Sequence, residues 1–191
     1  PVENTFGEQR TLVILVNFQD NPLEPYTPQF ARDVIFGEAS DFLYENSFGQ
    51  TWLSGEVTEW FTIPVDSTNC TFEIRNYAEQ AANNAGYDVA SYNRLVYAYP
   101  ENSGCGFWGA GSIGGNPSKA EVNGNLEFAV VGHELGHNLG LSHAHSLVCD
   151  DGSVVGRGSA VYGSTPWVNC SKLEYGDGLD IMGWSLSGHF S

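Results

Sequence analysis

The segment His133-Glu134-Leu135-Gly136-His137-Asn138-Leu139-Gly140-Leu141-Ser142-His143 carries the strongest structural signal in this chain. If its first half is helical, His133 and His137 stand one turn apart and project their imidazoles from the same face. Gly140 can adopt the left-handed backbone conformation that ends a helix, and the chain can then turn back toward the two rings. The spacing therefore predicts that His143 joins His133 and His137 at a single point.

Three neutral imidazoles leave one tetrahedral position open for water, which is typical of catalytic rather than structural zinc. We predict the helix over about 126–138, with Glu134 placed beside the ion as the base that takes the proton of this water. His145 and His189 are not needed by a site that already has three ligands, so we interpret them as structural or surface residues. The sequence thus predicts a zinc hydrolase.

Length and charge limit the other function classes. The 191 residues suit one domain, with an upper lobe over about 1–140 and a lower lobe over about 141–191. Acidic residues outnumber basic ones 23 to 7, and the net charge of -16 argues against nucleic acid or an anionic membrane as partner. We expect a monomer that acts on a protein or peptide substrate.

Oxygen-rich loops raise the question of a second metal. Asp150-Asp151 and Asp177 with Asp180 are candidates for calcium, although neither has the spacing of an EF-hand. Solvated or turn-capping carboxylates are the interpretation that we prefer. We also expect Asp180 to brace the turn around Met182 by accepting backbone hydrogen bonds.

Cysteine usage and the N-terminal residues favour a secreted protein. No stretch approaches the ~20 apolar residues of a membrane span, and Pro1 to Asn4 carry no targeting segment, so we expect a mature, processed chain. The four cysteines show no CxxC spacing and are predicted to form disulfides. Proximity along the chain favours Cys70 with Cys105 and Cys149 with Cys170; unpaired thiols are the alternative for a cytosolic protein.

Apolar runs alternate with helical patterns, which predicts an α/β or α+β fold. Strands are expected over 11–18, 51–63 and 94–99, the second with a turn at Ser54-Gly55. A helix is expected over 76–85, and one or two more over 28–46, broken near Gly37 with Ser40 as a cap.

A glycine-rich stretch over 104–115 precedes the predicted zinc helix. Small residues let another backbone approach closely, so an exposed edge strand that pairs with an extended substrate is one interpretation. Its residues would be Gly109, Ala110, Gly111, Ser112 and Ile113. A glycine-rich loop is the other interpretation, and the tryptophans at 108, 167 and 184 are expected in the core or in a cleft wall.

The motif HELGHNLGLSH, followed by Met182 in Asp180-Ile181-Met182-Gly183, resembles the metzincin zinc peptidases. The stretches NSFGQTWLSGEV at 46–57 and YGDGLDIMG at 175–183 are similar to the gametolysin-like secreted peptidases within that group. The resemblance implies a metzincin fold, with a twisted, mostly parallel sheet, an antiparallel edge strand, a backing helix, a zinc helix and a small irregular lower lobe. It also implies that Met182 forms an apolar floor under the imidazoles and that matrix or cell-wall proteins are substrates.

Two features depart from that pattern. Trp184 stands where astacin-like and serralysin-like metzincins have a tyrosine that reaches the metal, so no tyrosine ligand is predicted. The chain ends at Ser191, where metzincins usually continue into a helix, which fits a truncated chain, a cleaved segment or a short lower lobe. Two other functions remain as alternatives. One is a zinc amidase acting on cell-wall peptide. The other is a non-catalytic binding module in which the metal only stabilises the fold, and the presence of Glu134 argues against this second alternative.

Overall fold

The computed structural model describes residues 5–149, 170–183 and 188–190. The chain divides into two compact units, Pro1–Leu141 and Ser142–Ser191. The first unit contains a five-stranded sheet and all the described helices, and the second contains a two-stranded sheet.

The first unit is built on a sheet with strand order β2-β1-β3-β5-β4. Four of its strands run parallel, and β4 pairs antiparallel with β5 at one edge. This confirms the predicted mixed α/β class with a mostly parallel sheet and an antiparallel edge strand. The strands are β1 (Gly7–Phe18), β2 (Thr51–Ile63), β3 (Arg94–Tyr99), β4 (Gly109–Gly111) and β5 (Ser118–Asn123).

Helices surround this sheet. Nearly every residue of β1 and β3 is buried, as expected of central parallel strands covered on both faces. On one face, Ile74, Ala78 and Ala82 of a helix pack in the same core as the apolar residues of β1 and β3. The helices are α1 (Pro28–Arg32), a π-helical segment (Asp33–Ala39), α2 (Ser40–Asn46), α3 (Glu73–Asn84), a 3-10 turn (Val89–Ser91) and α4 (Phe128–Asn138).

Three local predictions are wrong. Strand β2 continues through Ser54-Gly55 without a turn, and Gly55 instead lets β1 approach, since a Cβ there would lie 1.9 Å from the carbonyl oxygen of Thr11. The helical region does not break at Gly37 but passes through π-helical geometry. The Ser40 hydroxyl does not cap a helix, because it bonds the backbone of Leu53 in β2.

Two cysteine pairs were predicted, and one is confirmed. Cys70 and Cys105 form a disulfide that joins two loops of the first unit. In the second unit, β6 (His145–Cys149) and β7 (Cys170–Glu174) pair antiparallel, and the backbone of Cys149 lies opposite that of Cys170. The side chains of these two cysteines are outside the described part of the chain, so their disulfide stays a prediction.

Among the described helices, none is long and apolar enough to span a membrane.

Candidate metal centre

Helix α4 carries the centre of the predicted motif and lies directly against the edge strand β4. The helix begins at Phe128, whose ring packs edge-on against Phe42 of α2, and Val131 and Leu135 are buried beneath it. A Cβ at Gly109 would lie 2.5 Å from Oε1 of Glu134, and one at Gly111 would lie 2.8 Å from its carbonyl oxygen. The glycines of β4 therefore make room for the helix. That this strand also pairs with an extended substrate stays a prediction.

The C-terminal turn of α4 fixes the orientation of His137. Gly140 has a φ of 96°, its N–H donates to the carbonyl of His137, and the N–H of Leu141 donates to that of Gly136. This is a Schellman ending, which confirms the predicted role of Gly140. The same turn brings the carbonyl oxygen of Leu141 within 2.8 Å of His137 Nδ1. Since a carbonyl only accepts, Nδ1 carries the proton and Nε2 keeps its lone pair for a metal.

A buried arginine anchors the end of this helix to the sheet. Arg94 donates to the carbonyl oxygen of Asn138 at 2.9 Å, to the hydroxyl of Ser118 at 2.8 Å and to Oε1 of Gln9 at 2.6 Å. Burial lowers the pKa of Arg94 to about 10, which leaves it protonated at neutral pH. A cation at the C-terminus of a helix also interacts favourably with its dipole.

The predicted ligands come together. The rings of His133 and His137 lie edge-to-face with centroids 4.8 Å apart. With His143 they form a group whose ligand atoms all lie within 4.8 Å of one another. Three imidazole nitrogens at this spacing fit a zinc ion, which accepts histidine nitrogen readily and leaves a position open in a three-ligand site.

Glu134 is buried between its own helix and strand β4, with only 6% of its surface exposed. Burial raises the pKa of Glu134 to about 8, and Glu121 adds a smaller effect in the same direction. A cation bound by the neighbouring imidazoles acts in the opposite direction and favours the carboxylate form. A metal ion bound there and the Glu134 carboxylate would therefore stabilise each other.

Two residues around His143 were not anticipated from the sequence. Its Nδ1 lies 2.8 Å from Oε1 of Glu174, and its Nε2 lies 2.7 Å from the hydroxyl of Tyr175. The carboxylate oxygen accepts, so Nδ1 carries the proton, in the arrangement by which carboxylates orient zinc-binding histidines. The hydrogen bond to His143 also lowers the pKa of Glu174. No local motif links these residues, because more than 30 positions separate them in the chain.

The turn around Met182 lies in the second unit. Met182 is 2% exposed, and its N–H donates to Oδ1 of Asp180 at 2.7 Å, which is the bracing contact that the sequence predicted. Asp177 accepts from the N–H of Leu179 in the same way, which agrees with turn-capping carboxylates.

Calcium receives no support from the part of the chain that the structure describes. There, the three histidines are the one group of three or more His, Cys, Asp or Glu residues that could hold a metal ion. Asp150-Asp151 lie outside the described residues, as do Trp167 and Trp184.

The edge strand and an adjoining cavity belong to the first unit. Strand β4 includes Gly109, Ala110 and Gly111 of the predicted stretch, whereas Ser112 and Ile113 follow it. Next to its beginning is a cavity of about 980 Å³. The Trp108 side chain, 77% exposed, lines this cavity with neighbours from the strand ends and from the start of α4, among them Leu23, Glu101, Phe107, Glu127 and Val130. Trp108 is thus a cavity-wall residue, in agreement with the sequence.

A family model described as gametolysin peptidase M11 matches residues 47–165, which is more than half of the chain and includes α4 and all three histidines. No curated protein sequence matches.

Among solved structures, the chain is similar to metalloproteinase-II from Bacteroides fragilis, with 15% identity and a TM-score of 0.49 over 75% of this chain and 46% of that one. It therefore spans about half the length of that protein. It is also similar to archaemetzincin from Methanopyrus kandleri, with 16% identity and a TM-score of 0.39 over 74% of this chain and 78% of that one.

Proposed function

This chain belongs to the gametolysin peptidase M11 family, and from that premise we propose that it is a secreted zinc endopeptidase of the metzincin type. The observation that carries the proposal is the convergence of the His133, His137 and His143 nitrogens, with Glu134 on the same helix as two of them. In this proposal the histidines bind one zinc ion. The apolar side chain of Met182 supports them from below, as the resemblance to metzincins implies.

The chemistry follows from the donor set and from Glu134. Zinc, when bound, lowers the pKa of a coordinated water to about 7 and polarises the scissile carbonyl. Glu134 accepts the proton of the attacking water as the new C–O bond forms, and it returns this proton to the amine as the C–N bond breaks. Its burial against Gly109 and Gly111 restricts the carboxylate to few orientations. This restriction keeps the Glu134 carboxylate aligned with the proton that it accepts from water.

Strand β4 is the proposed binding edge for substrate. Among the described strands, β5 alone pairs with it, so an extended peptide can add to its other edge through backbone hydrogen bonds. The neighbouring cavity would then receive a substrate side chain against the exposed ring of Trp108. Aromatic walls of this kind contribute apolar contact area while backbone pairing fixes the register.

Secretion and substrate class rest on several supports. The Cys70–Cys105 disulfide suits an oxidising compartment, and the net charge of -16 suits an extracellular protein that remains in solution. From the resemblance to gametolysin-like enzymes, we propose matrix or cell-wall proteins as substrates. The enzyme is proposed to act as a monomer.

The test is the Glu134→Ala variant, with Glu45→Ala as the matched control because Glu45 is an exposed residue of α2. The variant should keep its zinc and its fold but lose casein hydrolysis by about 10⁴-fold, the upper range for a general base. The control should behave like the unmodified protein. A metal-loaded Glu134→Ala protein with full activity would exclude the mechanism. Hydrolysis of cell-wall peptide without hydrolysis of casein would instead support a zinc amidase.

A further inference from the structure

Among the described residues, the cavity beside the start of β4 is lined by two acidic side chains and by no basic one. The acidic residues are Glu101, which lies just after β3, and Glu127, which lies just before α4. Both are exposed, and neither carboxylate has a hydrogen bond or an ion pair within the described part of the chain. Unpaired negative charge on the wall of a cavity attracts a cationic occupant.

A buried asparagine holds the loop that carries Glu101. The Asn123 side chain, 6% exposed, accepts from the N–H of Asn102 at 2.7 Å and donates to the carbonyl oxygens of Asn102 and Phe107 at 3.2 and 2.8 Å. The disulfide of the first unit fixes the same loop at Cys105, which also lines the cavity. Because the loop is held at these points, little ordering is needed when a ligand binds.

The cavity adjoins both the proposed substrate edge and the proposed base. Trp108, whose exposed ring lines it, stands directly before β4, and its carbonyl oxygen accepts from the N–H of Asn123 at 2.8 Å. Val130 of α4 lines it as well, and a Cβ at Gly109 would lie 2.8 Å from Val130 and 2.5 Å from Oε1 of Glu134. In the proposed binding mode, a peptide on β4 therefore passes this cavity close to its scissile bond.

We propose that this cavity selects a basic side chain, lysine or arginine, in the peptide that is cleaved, with Glu101 and Glu127 as the specificity-determining residues. The inference rests on the proposed peptidase function and names its substrate class. In this binding mode the alkyl part of the basic side chain lies along the Trp108 ring, and its charged end faces the two carboxylates. Each exposed charge pair is weak alone, so the preference needs the ring and both carboxylates together.

The test measures kcat/KM for peptides that differ at a single side chain. An uncharged host peptide that the zinc-loaded protein cleaves is substituted, at each position near the scissile bond in turn, with arginine, with glutamate or with citrulline, the uncharged isostere of arginine. At one position we expect arginine to exceed citrulline by about 10-fold. In the double variant Glu101→Gln with Glu127→Gln this preference should disappear. A ratio of two substrates does not depend on how much of the variant is active, so partial misfolding leaves the result readable.

The matched control is the double variant Asp41→Asn with Glu45→Gln, which removes two exposed carboxylates of α2 that do not line the cavity. It changes the net charge by the same amount as the cavity variant. The control therefore separates the local effect of the cavity from the attraction between an acidic protein and any cationic peptide. We expect it to keep the full preference for arginine.

An arginine preference that the cavity variant retains, or that the control loses equally, would contradict the role of Glu101 and Glu127 while leaving the peptidase function intact. Peptide hydrolysis with no preference for arginine would contradict it in the same way. A preference for glutamate would show that the N–H groups at the start of α4 govern the cavity instead, because helix N-termini attract anions. Absence of peptide hydrolysis by the zinc-loaded unmodified protein would refute the proposed function itself, and this inference with it.

Discussion

Two regions that carry the histidines are held in different ways. The helix half-site consists of His133 and His137 on α4, and the third-histidine segment consists of His143 with Glu174 and Tyr175. His137 is 7% exposed on a helix packed against the sheet. The His143 side chain is 22% exposed and hydrogen-bonds to a Glu174 side chain that is 64% exposed. Packing against the sheet fixes the helix that carries the first two histidines, and exposed hydrogen bonds orient the third. Damage to the half-site should therefore affect folding and chemistry, and damage to the third-histidine segment should affect metal affinity.

The largest expected effect comes from the anchor of the half-site. Arg94→Met removes the donors to Asn138 and Gln9 and leaves buried acceptors without partners. We expect the free energy of unfolding to fall by about 3 kcal/mol, the upper value for hydrogen bonds to a charged group. Urea denaturation measures this loss. The matched variant Arg10→Met removes an exposed cation over the Tyr92 ring and should cost about 0.5 kcal/mol. Equal losses would contradict a special role for the anchor.

The next effect tests the packing between β4 and α4. In Gly109→Ala the new methyl group meets Oε1 of Glu134 and a methyl group of Val130, so the carboxylate must move. We expect kcat to fall by about 100-fold, a loss typical of a misplacement near 1 Å, while zinc content is retained. Gly106→Ala lies in the preceding loop with nothing within 4 Å of its new methyl group, and should leave kcat unchanged. Full activity in Gly109→Ala would show that Glu134 is not held by this contact.

The smallest effect concerns the third-histidine segment. Glu174→Gln keeps the shape of the side chain but removes the charge that orients His143. We expect zinc affinity to fall by about 10-fold, the lower end for the loss of such a partner, with little change in the unfolding of the first unit. Glu45→Gln is the control. The comparison would fail if Glu174→Gln lowered stability as much as Arg94→Met, or if zinc affinity did not change.

The features predicted from sequence are those with a local signal. The i, i+4 spacing of His133 and His137 and the left-handed Gly140 were predictable because both follow from one helix and its ending. Strand β3 was predicted over 94–99, its observed extent, since a short, mainly apolar and aromatic run is typical of a buried strand. The sheet class and the Cys70–Cys105 disulfide followed from alternation and proximity.

The remaining features depend on contacts between distant segments. Gly55 has the residue type of a turn, but it is small because the backbone of β1 passes close to it. No neighbouring residue in the sequence indicates this contact. Ser40 has the residue type of a helix cap, yet β2 offers its hydroxyl a better partner. Glu174 and Tyr175 reach His143 only through the folded second unit. Such contacts are specified by tertiary packing, so local patterns in the sequence do not predict them.

The most direct measurement follows zinc content and peptide hydrolysis together through one cycle of chelation and zinc return. The proposal predicts one zinc ion per chain, held by His133, His137 and His143. Hydrolysis should disappear as zinc is removed and return in proportion to the zinc restored. Hydrolysis that survives complete removal of the metal, or a folded chain that binds no zinc, would contradict the central claim.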